Sequence, residues 1–98
     1  MNSQTLQLTR EESTKIERLH YICESYKNFI SILAREYSET KSHELELMID
    51  KYRIQYQNYN IEFNVNVRQL LNNQFNNKIP STLHYNFLFD ESKVELTW

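Results

Sequence analysis

Ile16, Cys23, Ile30 and Tyr37 fall seven residues apart, and Leu19, Tyr26 and Leu33 fall three beyond the first three of them. A seven-residue apolar repeat winds into one stripe of an α-helix and is buried best against another helix, as in a coiled coil. Ile22 and Phe29 lie beside the stripe and widen it to the face of a bundle helix. Thr9-Arg10-Glu11-Glu12 has the spacing of a capping box, in which Thr9 accepts from the Glu12 backbone N–H and Glu12 reaches back. These signals predict a helix over about residues 9–38, about 45 Å long at 1.5 Å per residue.

Ser38 to Ser42 breaks the pattern, and Thr40 or Ser42 is placed to cap a new helix. A second register then runs through Ile49, Tyr56, Phe63 and Leu70, with Leu45, Tyr52 and Tyr59 in the companion positions and Asn66 interrupting them. It predicts a helix over 42–77, closed by Asn76-Asn77 ahead of Pro80. Two long helices joined by so few residues pack antiparallel. The expected fold is mainly α: a helical hairpin over 9–78, a flexible N-terminus at 1–8 and an aromatic tail at 79–98, all in one domain.

Residues 52–67 carry a competing signal. Tyr52, Ile54, Tyr56, Tyr59, Ile61, Phe63, Val65 and Val67 alternate with polar residues, as the strands of a β-hairpin turning at Gln57-Asn58 would. That alternative makes the fold α+β. Two-residue hairpin turns favour Asn-Gly and similar pairs, and this chain has no glycine. The heptad also continues through Leu70, so the helix is favoured. As a helix, this stretch carries a second stripe, Leu47, Ile54 and Ile61 with Val65 one turn on, opposite the main seam. A helix with two apolar stripes touches two partners.

The last residues read differently. Tyr85, Phe87 and Phe89 alternate, a polar Asp90-Glu91-Ser92-Lys93 follows, and Val94, Leu96 and Trp98 alternate again. Over 82–98 this predicts a β-hairpin-like or extended segment in which Phe89 faces Val94, Phe87 faces Leu96 and Tyr85 faces Trp98. An isolated two-stranded hairpin is marginal and needs a surface to lie on. Either the tail folds back over the second stripe, or one of the two surfaces is left for another chain. The candidate partner-binding residues are therefore Leu47, Ile54, Ile61, Val65, Tyr85, Phe87, Phe89 and Trp98.

The absence of glycine excludes the nucleotide fingerprints built on it. A net charge of −2 with no basic stripe argues against nucleic acid as a partner. No apolar run approaches the roughly 20 residues of a membrane span, and the first residues lack the pattern of a signal peptide. One cysteine, Cys23, forms no internal disulfide and fits a reducing, cytoplasmic setting. Glu17-x-x-His20 has the spacing of di-iron bundle ligands, but a second such pair and further inward glutamates are missing from the seam of the second helix. His20-x-x-Cys23 lacks the second pair that structural zinc requires. No catalytic group and no cofactor is expected, and Glu17 with His20 stands as the one metal alternative.

Phe63-Asn64-Val65-Asn66-Val67-Arg68, Asn72, Ile79-Pro80 and then Phe87 and Phe89 resemble the C-terminal pattern of LemA-family helical proteins. The resemblance covers residues 63–89, with phenylalanine for that family's tyrosine, isoleucine for its phenylalanine, and no N-terminal membrane helix. It implies an antiparallel helical bundle and carries no catalytic residue.

The functional expectation is a non-enzymatic protein–protein interaction module, a small adaptor, regulator or inhibitor, working as a homodimer or with another protein through its apolar stripes. The alternatives are a metal- or ligand-holding bundle, and a carrier body that presents its C-terminal tail for processing.

Overall fold

A computed structural model describes every residue, Met1–Trp98. The chain runs β1 (Ser3–Gln7), α1 (Arg10–Thr40), α2 (His43–Phe75), β2 (His84–Leu88), a 3-10 turn (Phe89–Glu91) and β3 (Lys93–Thr97). The fold is mainly α with a small antiparallel sheet. Residues divide into two compact units, Leu19–Asn64 and Met1–Arg18 with Val65–Trp98.

The first unit is two antiparallel helical segments joined by Lys41-Ser42. His20 lies against Phe63 and Phe29 against Tyr52, at ring-centroid distances of 6.2 and 5.0 Å, so the start of one segment meets the end of the other. Leu19, Cys23, Leu33 and Ile49 are its buried apolar residues. Without glycine, Lys41 itself takes the left-handed conformation, φ 55°, and its N–H donates to Tyr37 O at 2.8 Å. Its ammonium lies 5.5 Å from the Tyr37 ring, an attraction that offsets part of the backbone cost. Ser42 holds the N-cap place of α2, its carbonyl accepting from Glu46 N–H at 3.1 Å.

Residues 52–64 are helical, and the competing hairpin at 52–67 does not form. As a helix this stretch delivers Tyr52, Tyr59 and Phe63 to Tyr26, Phe29 and His20. Pairing Ile54 with Ile61 across a turn would scatter those rings over two strands.

The second unit joins the start of α1 and the end of α2 to the sheet. The capping box is formed as read: Thr9 N–H donates to Glu12 Oε1 at 2.9 Å, and Glu12 N–H to Thr9 Oγ1 at 3.1 Å. At the other end, Asn76 and Asn77 both have positive φ, and Asn77 N–H donates to Asn72 O at 2.9 Å. A bond reaching back five residues closes a helix terminus of the Schellman kind. Val67 and Leu71 are buried here, so the core moves one position past Asn66, where the heptad falters.

Two details of the termini differ from the sequence reading. Residues 1–8, expected to be flexible, contain β1, which pairs with β3 so that β3 is central in the order β1-β3-β2. Leu6 and Leu8 supply the apolar alternation, and Leu8 is buried. The β2–β3 register is also shifted by two residues: Phe87 faces Val94 and Tyr85 faces Leu96. The connection is longer than a tight turn because Phe89–Glu91 coil into the 3-10 turn and Ser92, φ 50°, reverses the chain. An even shift preserves which face is apolar. Val94 and Leu96 are 1% and 0% exposed. Trp98 exchanges two backbone bonds with Asn2, and its ring meets Phe75 edge-on at 5.1 Å.

Candidate interaction surfaces

Leu47, Ile54 and Ile61 project from α2 of the first unit at 55%, 60% and 60% exposure. Seven-residue spacing keeps them within about 40° of one another around the helix. Ile49, Tyr52, Tyr56 and Phe63 occupy the opposite side, where the aromatic seam with α1 forms. The three side chains of this row are exposed, and the sheet formed by the tail is part of the second unit. Val94 and Leu96 are buried in a unit whose other buried apolar residues include Leu8, Ile16, Val67 and Leu71.

On α1 the face away from the seam carries Tyr21 and Ile32, both 59% exposed and eleven residues apart, which is three helical turns. Sequence reading missed this pair because the strong a/d repeat draws attention to the seam. Two isolated apolar residues are ordinary surface. Three aliphatic side chains recur in one row on α2, about 10.5 Å apart along the helix with Lys51 and Asn58 between them, the two-turn spacing at which a partner helix can be met.

The second unit holds the remaining predicted contact residues. Val65 is exposed, and Tyr85 is half-exposed at the rim of the sheet. Phe87, Phe89 and Trp98 are partly covered. Tyr85 meets Phe87 edge-on at 5.6 Å, and Phe87 stacks on Phe89 at 5.3 Å with rings 3° apart. Trp98 is engaged with Phe75, so it acts as packing. Leu47, Ile54 and Ile61 thus share one side of α2 in the first unit, and Tyr85, Phe87 and Phe89 form an aromatic cluster within the second.

Groups that could do chemistry are sparse. No three His, Cys, Asp or Glu side chains come together as a metal-holding cluster. His20 packs against Tyr21 and Phe63, as a seam-border ring does. Cys23 is buried, and burial pushes its thiol pKa up; Glu24 adds to the rise and Lys27 opposes it. A thiol so placed is a poor nucleophile at neutral pH. A cleft of about 270 Å³ in the second unit is lined by Glu11, Lys15, Asn66, Gln69 and Asn73 around Ile16 and Leu70. No helix is long and apolar enough to cross a membrane.

Compared with family models, curated proteins and solved structures, the chain matches none of them.

Proposed function

We propose that this protein is a non-enzymatic interaction module, a small adaptor, regulator or inhibitor, whose α2 outer face takes an apolar helix of a partner protein. The observation that supports the reading is the exposed row Leu47, Ile54 and Ile61, set on a helix whose opposite face already forms the seam. Burying each such side chain contributes about 1.5–3 kcal/mol, so three in a row supply a useful share of a binding free energy. The helix that carries them is held in place by Tyr26, Phe29 and His20, and a rigid element loses little entropy on binding. LemA-like kinship, drawn from residues 63–89, belongs to the same proposal and points to a binding body of similar build.

Photo-cross-linking tests it. A photoreactive residue at position 61 should give a discrete adduct with another protein in the native source, and Ile54→Asp on the same chain should remove the adduct while circular dichroism stays helical. Cross-linking that gives no adduct, or one indifferent to Ile54→Asp, would sink the proposal. Loss of helicity with Ile54→Asp would make Ile54 a core residue instead.

A further inference from the structure

The outer edge of β1 is open, and its backbone groups are arranged for a partner. Asn2 and Trp98 exchange both of their backbone bonds, at 2.7 and 2.9 Å, and Leu8 N–H donates to Ser92 O at 2.8 Å. In an antiparallel ladder such bonded pairs alternate with unbonded ones. With Ser3 opposite Thr97 and Gln7 opposite Lys93, Gln4 and Leu6 are the residues bonded inward to β3. The N–H and C=O groups of Ser3, Thr5 and Gln7 therefore point away from the sheet. By the same count β2 directs only Tyr85 and Phe87 outward, because the 3-10 turn at Phe89 ends the strand.

Soluble proteins usually blunt such an edge with lysine, proline or a bulge. Ser3-Gln4-Thr5-Leu6-Gln7 has none of these, its pairing with β3 is unbroken, and four of its five residues are exposed. We infer that β1 pairs antiparallel with β1 of a second copy of the chain, across a twofold axis at Thr5, so that two three-stranded sheets become one of six strands.

Self-pairing fits this strand for a reason beyond its open edge. A twofold sets each residue against a fixed partner: Thr5 against Thr5, Ser3 against Gln7, Gln4 against Leu6. A charge on the axis would meet its own copy, and like charges directly opposite are destabilising. None of the five residues is charged, and a cross-strand threonine pair is a favourable one. All three outward-facing residues find a bonded partner in this register. Leu6, half-buried at the rim of the apolar face, gains the methylenes of Gln4 from the partner copy as cover. The pairing also closes on itself, whereas β1 against β2 of a second copy would leave both ends free to add further chains.

The test uses light scattering on the full chain together with residue-resolved amide exchange. The expected result is a dimer of twice 12.0 kDa in which Ser3, Thr5 and Gln7 amides exchange more slowly as concentration rises. Thr5→Pro removes an outward N–H and spares the inward ladder, and should halve the mass. Thr5→Lys should do the same through charge meeting its own copy, and Asn86→Lys on the far strand should leave the dimer intact. A monomer at every concentration, or a dimer whose Ser3, Thr5 and Gln7 amides stay fast, would overturn the inference. So would a dimer dispersed by Ile54→Asp and indifferent to Thr5→Lys, which would assign self-association to α2. If Thr5→Pro disturbs the fold, Thr5→Lys and exchange in the unaltered chain decide.

Discussion

Tyr26 on α1 donates its hydroxyl proton to Gln55 Oε1 on α2 at 2.9 Å, while its ring stacks on Tyr59 at 5.6 Å and meets Tyr52 at 6.1 Å. One side chain thus links the polar and aromatic parts of the seam. Tyr26→Phe keeps the ring and removes the bond, and should cost about 1 kcal/mol in urea unfolding. Tyr26→Ala should cost several times more, because the ring contacts go too. Equal losses would mean that the hydrogen bond carries the whole effect and the stacking little.

The capping box at the start of α1 satisfies two backbone donors reciprocally, Thr9 N–H on Glu12 and Glu12 N–H on Thr9. Thr9→Ala should lower stability by about 1 kcal/mol, and Thr9→Ser should restore most of it. Thermal melts of the three proteins check the order. An alanine variant as stable as the parent would show that the α1 terminus is held by packing around Leu8 alone.

How much of this was legible in the sequence follows from which forces are local. The heptad through Ile16, Cys23, Ile30 and Tyr37 and the Thr9–Glu12 box depend on residues within a few positions of one another, and both are found in the structure. Asn76-Asn77 could be read as a terminus because asparagine tolerates positive φ. β1 could not be read the same way. Its partner β3 lies about 90 residues away, and Leu6 and Leu8 give too short an alternation to separate a strand from a lead-in. The tail register slipped because nothing in Asp90 to Lys93 announces a 3-10 turn closed by a serine at φ 50°. For the α2 stripe the sequence located Leu47, Ile54 and Ile61 on one face, but only the structure gives their exposure, 55%, 60% and 60%.

Leu96 is fully buried on β3, the central strand of the sheet, on which both β1 and β2 depend. Leu96→Ala should cost about 2–5 kcal/mol, as large-to-small changes at tight sites do. Removing the same volume from half-exposed Tyr85 on the sheet rim should cost far less. Chemical denaturation gives both values. A small loss at Leu96 would mean that the sheet contributes little to the stability of its unit, and would favour a tail that can be released.

Cys23 has a direction to its pH dependence. Burial raises its pKa above the ordinary thiol value of 9.0, with Glu24 adding to the rise and Lys27 opposing it. The unfolded thiol therefore loses its proton first as pH rises, so the native state binds more protons and stability falls with pH. The contribution is fully present below the ordinary thiol value and is lost as pH climbs from there through the higher native value. Cys23→Ala should flatten this alkaline slope. A thiol reagent at neutral pH should modify native Cys23 slowly and the unfolded chain quickly. Rapid native labelling would mean that the seam opens around residue 23.

Ile49 and Ile54 are the same residue type five positions apart on α2, and they face opposite ways: Ile49 is 6% exposed and Ile54 is 60% exposed. Intrinsic helix propensity therefore nearly cancels when both are changed identically, and the difference reports burial alone. Ile49→Ala should cost about 2–5 kcal/mol, whereas Ile54→Ala should fall within about 0.5 kcal/mol of the parent. Alanine slightly favours the helix at both positions, so Ile54→Ala has room to be mildly stabilising. Paired urea titrations at low protein concentration, where self-association contributes least, make the comparison. A near-neutral Ile54→Ala would show that the fold does not need this side chain, as the proposed contact face on α2 requires. A cost at Ile54 as large as that at Ile49 would instead make the outer stripe part of the core and remove the ground for a binding face on α2.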